Sequence, residues 1–382
     1  MPIIVLSPFN VVNFPQGGGH FWVYMQYAQG LLRLGCEVYW LENFRTSGDE
    51  QVDAALLHTF FARMHRYGLD GKVILYESGH SGGDAAPLEY IGMSPAEAEA
   101  VFDKADLLLN FHYAADASVL ARFKRTALVD IDPGLLQFWI SRSQLTVGAH
   151  DYYFTTGETV GTPGAFFPDC DLNWLRIRPP VCLEQWPYAY NSDAGTFTTI
   201  SNWDSDDWIV DGDEAYENTK RRAFLEFIDL PRLTAQRLEL ALYLRTDRDF
   251  EDRAALEESG WRVRPSAEVA HTPESYQNYI QQSRGEFSCA KRSCMKFQNA
   301  WISDRTLCYL ASGKPAVVQD TGPSSILPNG EGLFRFSTLK QAAKALGAVN
   351  NDYKRHSEAA RQIVETYFDA KKVTEQILSS VL

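Results

Sequence analysis

The sequence is poor in the features that carry a protein to a membrane or a nucleic acid. No apolar run approaches the ~20 residues that span a bilayer, and Met1 to Val5 leads straight into a strand pattern rather than a charged and then apolar leader. Lys and Arg number 36 against 49 Asp and Glu, a net charge of −13. That balance lacks the electrostatic term that drives binding to phosphate backbones or anionic lipid, so neither is an expected partner. Cysteine is scarce as well. The six residues Cys36, Cys170, Cys182, Cys289, Cys294 and Cys308 form no Cys-x-x-Cys pair and no Cys/His ladder, which leaves buried reduced thiols in a cytoplasmic protein as the expectation and no zinc site.

What is present is apolar and aromatic. Hydrophobic residues make up 45% of the chain and aromatic ones 13%, with nine Trp and eighteen Tyr to line concave pockets. The 382 residues exceed one core and suit two domains. Strand patterns at Pro2 to Leu6, Cys36 to Leu41, Val73 to Tyr76, Leu107 to Phe111, Thr126 to Ile131 and Tyr152 to Thr155 alternate with helical ones near His20 to Leu34 and Val52 to Tyr67. This alternation predicts a largely parallel sheet. Arg176 to Gly195, with Pro179, Pro180 and Pro187, reads as a connection, after which the pattern restarts. Strands are predicted at Phe197 to Trp203, Leu238 to Leu244, Gly285 to Ala290, Pro315 to Val318 and Gly332 to Phe336, and helices near Tyr216 to Phe227, Pro273 to Gln282 and Leu339 to Val349. The predicted architecture is α/β, with two Rossmann-like, doubly wound parallel-sheet domains facing a cleft: residues 1–185, residues 195–365, and a C-terminal helix at 366–382.

The densest motif runs from Trp301 to Gly322. Ser303 is a candidate N-cap, and the backbone N–H groups after it, with the helix dipole, favour an anion. Arg305 stands in the same first turn beside Asp304, where a cation opposes the dipole, so it is expected to meet a phosphate. A Gly313-Lys314-Pro315 turn and an apolar strand follow, delivering Asp320, Thr321 and Gly322 to the crevice where open α/β sheets bind ligands.

This stretch, Ala311-Ser312-Gly313-Lys314-Pro315-Ala316-Val317-Val318 with Asp320-Thr321-Gly322, resembles the donor-binding half of GT-B glycosyltransferases. Near the other end, Gly19-His20, Ala28, Leu31 and Gly35-Cys36-Glu37-Val38 are similar to the opening of many members. The resemblance implies transfer of a sugar from a nucleotide-sugar, which serves as co-substrate with no other cofactor, to a hydroxyl on a small-molecule or glycan acceptor. It also implies that the final helix crosses back onto the N-terminal domain. One departure stands out: Cys308 occupies the position where many members place a donor-contacting glutamate. An epimerase or phosphorylase on the same architecture, or a non-catalytic two-lobed binder, is the alternative.

The remaining motifs are weighed against plainer roles. Gly17-Gly18-Gly19-His20 opens a helix but lacks the Gly-x-Gly-x-x-Gly spacing of a dinucleotide site. In the glycosyltransferase reading these glycines let substrate approach the backbone, and His20 is the candidate general base, kept neutral by the helix dipole. Asp132 and His112, at the ends of apolar strands, are placed toward the cleft, Asp132 as an alternative base or a partner of a catalytic His. Lys291 and Lys296 are candidates to neutralise a leaving diphosphate, which makes metal-independent chemistry the expectation. Asp-x-Asp occurs five times, at Asp130/Asp132, Asp169/Asp171, Asp204/Asp206, Asp211/Asp213 and Asp247/Asp249. Such frequency in an acidic chain points to solvated loops rather than a metal, and Asp204 to Glu214 reads as an exposed acidic loop.

Overall fold

The computed structural model describes residues 1–77, 89–203, 208–211 and 214–382. The N-terminal half is built on eight strands: β1 (Ile3–Ser7), β2 (Glu37–Asn43), β3 (Val73–Glu77), β4 (Glu89–Ile91), β5 (Leu107–Asn110), β6 (Thr126–Asp130), β7 (Tyr152–Thr155) and β8 (Trp174–Arg176). Their order in the sheet is β4-β3-β2-β1-β5-β6-β7-β8, parallel except for β4 against β3. Runs such as Leu107–Leu109, with no exposure, are buried on both faces, as parallel strands between two helical layers require. The order reverses between β1 and β5. Their carboxyl ends, Ser7 and Asn110, therefore flank one open crevice.

The C-terminal half repeats the plan. After β9 (Thr196–Asn202) the chain adds a two-stranded antiparallel hairpin, β10 (Trp208–Asp211) and β11 (Glu214–Glu217). It continues with β12 (Arg237–Tyr243), β13 (Arg262–Pro265), β14 (Gly285–Ser288), β15 (Ala316–Gln319) and β16 (Leu333–Phe336). The six-stranded sheet runs β13-β12-β9-β14-β15-β16, all parallel, with its reversal between β9 and β14. The two crevices face each other.

Close packing joins the halves. The helix Ala370–Val381 lies along the helix Gly18–Arg33, and it comes so near Gly30 that a Cβ there would sit 2.6 Å from the Ala370 carbonyl oxygen. Phe297 of the second half packs its ring 5.6 Å from both Phe138 and Phe167 of the first. Glu158 accepts hydrogen bonds from Ser324 and Ser325, and the Trp22 indole donates to the Pro273 carbonyl at 3.0 Å. Among the described residues no helix is long and apolar enough to cross a membrane.

Three local readings differ from the sequence pattern. The predicted helix Tyr216 to Phe227 is a strand through Glu217, a turn, and a helix only from Lys220 to Glu226, because the hairpin claims the first residues. The acidic stretch before it is not a plain solvated loop: Ile209 is fully buried in one apolar cluster with Leu128, Leu136 and Phe138 of the opposite half. Asp204, Asp206 and Asp213 lie outside the described residues. The strand β13 escaped notice because its Arg-Val-Arg-Pro run is only four residues long and carries a single buried side chain, Val263. It is an edge strand whose Arg262 and Arg264 instead pair with Glu239 on β12.

Candidate active site

The facing crevices enclose a cavity of about 700 Å³. On its N-terminal side lie the loop Phe14 to Gly19, His20, and the Asp132–Pro133 turn beyond β6. On its C-terminal side lie residues beyond β9, β12 and β13, together with Lys220, Lys291 and the first turn of the helix Asp304–Ala311. The site is therefore assembled from strand ends, where polar groups project without breaking a ladder.

His20 occupies the first turn of the helix Gly18–Arg33, and its Nε2 is 2.7 Å from the Phe9 carbonyl oxygen. A carbonyl only accepts, so Nε2 carries the proton and Nδ1 holds the lone pair. Burial lowers the imidazole pKa, the Phe9 bond opposing, and so keeps the ring neutral. Phe14 and Tyr24 set its plane through edge contacts at 5.8 and 5.2 Å.

The glycines before it act differently from the expectation. A Cβ on Gly18 would stand 2.3 Å from the Thr272 carbonyl oxygen, and one on Gly19 would stand 2.8 Å from the Tyr276 ring. Their bareness admits the opposite half of the protein, not only a substrate, to the helix start.

Asp132 is held by a buried polar turn. Asp130, fully buried, accepts from Gln137 Nε2 and Thr155 Oγ1 at 2.8 Å each and from the Asp132 backbone N–H at 3.0 Å. Burial raises the Asp130 carboxyl to about 7. The Tyr113 hydroxyl accepts from the Ile131 and Asp132 N–H groups at 3.0 and 3.1 Å and lies 3.3 Å from Asp132 Oδ2. Asn299 Nδ2 of the other half donates to the Pro133 carbonyl. This pair is thus a built turn, while Asp247 and Asp249 open a helix, where Asp249 accepts from the Arg245 and Thr246 N–H groups.

On the opposite wall, Arg305 is not the free phosphate ligand its position suggested. Its Nε is 2.7 Å from Glu286 Oε1, Nη1 donates to the Ile200 carbonyl at 2.8 Å, and Nη2 to Ser288 Oγ at 2.6 Å. Glu286 has no exposure and Arg305 only 6%. The pair is structural first, although Arg305 also contributes to the cavity wall. Removing Arg305 leaves a buried carboxylate without its cation. Arg305→Met is therefore expected to cost about 3–5 kcal/mol in urea unfolding, partly recovered in the double variant with Glu286→Gln. Unchanged stability of the single variant would show the pair to be unimportant.

Ser303 is the N-cap residue, yet its Oγ makes no capping bond and sits 3.5 Å from Asp304 Oδ1. Asp304 lines the cavity, its carboxyl raised by burial against the opposing pull of Arg305 and Lys220. Lys291 also lines it. Asp320, Thr321 and Gly322 do not. Asp320 pairs with Arg335, Thr321 Oγ1 donates to the Trp301 carbonyl at 2.7 Å, and Gly322 backs onto Gln298 so tightly that a Cβ would lie 2.5 Å from its carbonyl oxygen. They brace the loop behind the cavity, since β15 lies one strand beyond the β9–β14 reversal. Lys296 lies over the Phe138 ring at 5.8 Å and His112 packs at a tilt against Phe9, and neither lines the cavity wall. Cys308 is 2% exposed and receives the Gln26 amide at 3.7 Å, facing the Gly18–Arg33 helix rather than a ligand.

Lys220 is the residue that sequence reasoning missed. A continuous helix from Tyr216 would have set it mid-helix; the β11 turn brings it instead to the first turn, into the cavity, with Nζ 5.7 Å from the Trp301 ring centre. Burial, then the nearby Arg305 and Lys291 charges, pulls its pKa down to about 7. Lys220 and Lys291, with Arg305 held to Glu286 beside them, line the wall opposite His20.

No family model and no curated protein sequence matches the chain. Solved structures do. An α-glucosyltransferase in complex with UDP and a 13-mer DNA aligns with a TM-score of 0.60 at 11% identity, covering 100% of this chain and 99% of that one. Anabaena HepE in complex with UDP-glucose aligns at 0.60 and 13% identity over 100% and 99%. Sucrose-phosphate synthase from Thermosynechococcus elongatus aligns at 0.57 and 12% over 100% and 98%. The chain has the GT-B fold. In GT-B terms the cavity is the interdomain cleft, and its walls are the two switch points already described.

Proposed function

We propose that the protein is a glycosyltransferase that moves a sugar from a nucleotide-sugar donor to a hydroxyl-bearing acceptor. The observation that carries this reading is the pairing, across one cavity, of a neutral histidine on the N-terminal wall with Lys220 and Lys291 on the C-terminal wall, beside Arg305 in its pair with Glu286. The anion belongs with the cations, so the nucleoside diphosphate sits on the C-terminal half beside the start of the helix Asp304–Ala311. His20 Nδ1 takes the acceptor hydroxyl proton while the acceptor oxygen bonds to the sugar carbon and the bond to the diphosphate breaks. Lys220 and its neighbours stabilise the negative charge that gathers on the departing diphosphate. The similar proteins bound to UDP and UDP-glucose support uridine donors as the first to test. A net charge of −13 disfavours a nucleic-acid acceptor.

The direct test is thermal denaturation with uridine diphosphate and with uridine, both in excess EDTA. At ~100 times its dissociation constant a ligand adds about 2.7 kcal/mol to stability. The diphosphate should raise the melting temperature by several degrees, and uridine should do far less. Sugar transfer should likewise survive EDTA because side-chain cations meet the diphosphate. Activity lost with chelator and restored by manganese would overturn the metal-independent reading.

A further inference from the structure

The loop between β1 and the helix Gly18–Arg33 is pinned throughout, and yet it presents one large apolar side chain to solvent. Val11 and Val12 are buried, and their N–H groups both donate to Glu42 Oε1, whose other oxygen accepts from the Trp40 indole at 2.8 Å. Asn13 and Arg45 bind each other twice, through Nδ2 to the Arg45 carbonyl at 2.7 Å and through the Arg45 N–H to Oδ1 at 3.0 Å. Asn10 is held in the left-handed region at φ 59°, with its Oδ1 bonded by the Arg45 guanidinium. A loop this constrained has the means to bury Phe9. Instead, 45% of Phe9 is exposed, its ring packed 5.0 Å from the His112 ring and tilted 33° to it.

Two further facts tie this ring to the cavity. The Phe9 carbonyl is the group that holds His20 Nε2, so the exposed ring is one residue's width from the imidazole that faces the donor wall. His112 is itself fixed, its N–H donating to Asn110 Oδ1 at 2.9 Å while Asn110 Nδ2 donates to the His112 carbonyl at 3.0 Å. The backbone that carries the His112 ring is thus held in place. Neither ring lines the cavity itself; the pair adjoins it through the Phe9 carbonyl that holds His20, within reach of a molecule too long for the cavity.

We infer that the Phe9–His112 pair is the acceptor platform, and that the acceptor carries a flat ring face, aromatic or the apolar face of a sugar, next to the hydroxyl that receives the glycosyl group. A ring laid on Phe9 covers apolar surface that is now wet and gains stacking, whereas an acyclic polyol gains neither. This inference rests on the reading of the N-terminal half as the acceptor side.

The experiment is saturation-transfer difference NMR on the full chain with UDP present, using phenyl β-D-glucopyranoside, cellobiose and glycerol as probes. Ring protons of the phenyl glucoside, the cellobiose, or both should be saturated, which also names the source of the ring, and glycerol should not be. Phe9→Ala keeps the backbone carbonyl and should keep the UDP thermal shift, but it should weaken the responding probe at least about tenfold. Phe9→Trp should retain it. No saturation of any ring in the native chain, or equal saturation in Phe9→Ala, overturns the inference. A missing UDP shift in the native chain counts instead against the donor reading.

Discussion

Replacing His20 by alanine should lower turnover by about 10²- to 10⁴-fold while the affinity for nucleoside diphosphate stays unchanged. The split follows from position. His20 lies on the wall opposite Lys220 and Lys291, so its loss removes the proposed proton acceptor and leaves the proposed diphosphate-binding groups in place. Folding should survive, since the ring is held by one backbone carbonyl and edge contacts. The pH profile gives an independent check. Burial lowers the His20 pKa below its ordinary 6.5, so the imidazole is neutral and able to accept a proton at neutral pH. Activity should therefore rise with pH through a midpoint below 6.5, and that limb should vanish in the variant. A loss of less than tenfold would move the base to Asp132, the next polar group on the same wall.

Lys220→Ala should weaken nucleoside diphosphate binding roughly 10- to 150-fold, as expected for losing a charge-assisted bond of about 1.5–3 kcal/mol, with nucleoside binding little changed. Calorimetry with uridine diphosphate and uridine measures both. Here too the pH dependence has a definite sign. With a pKa near about 7 the ammonium is charged below that value and neutral above it. A bound anion favours the charged form, so affinity should be greatest below about pH 7 and fall by up to about tenfold per unit above it. The decline ends where the pKa of the complex is reached. Lys220→Arg, which stays protonated, should bind without that decline. Equal weakening of nucleoside and diphosphate in Lys220→Ala would remove Lys220 from the phosphate site.

Much of the site was legible because local pattern reports burial and chain direction. Fully apolar runs such as Leu107–Leu109 mark parallel strands sealed between helices, and strands of that kind place their polar followers at a common edge. Asp132, at the end of an apolar strand, is legible in this way, and His20, at the start of an amphipathic helix after a glycine run, is so with the help of the resemblance to GT-B openings. Both line the cavity. The motif around Ser303 likewise marks a helix start at the cavity wall.

What the sequence by itself determined was the alternation of strand and helix, the doubled α/β plan, and which chain ends carry polar groups, since these follow from residue spacing alone. Only the tertiary structure decided which charges are spent and which are available. Arg305 is tied to Glu286, nineteen positions away in sequence, because β14 lies beside the helix that carries it. Asp320 is tied to Arg335 because β15 pairs with β16. Lys220 enters the cavity because a hairpin consumes the residues that would have begun its helix. A charge's partner is set by distance in space, and Coulomb energies between groups far apart in the chain leave no periodic trace in the residues around either one.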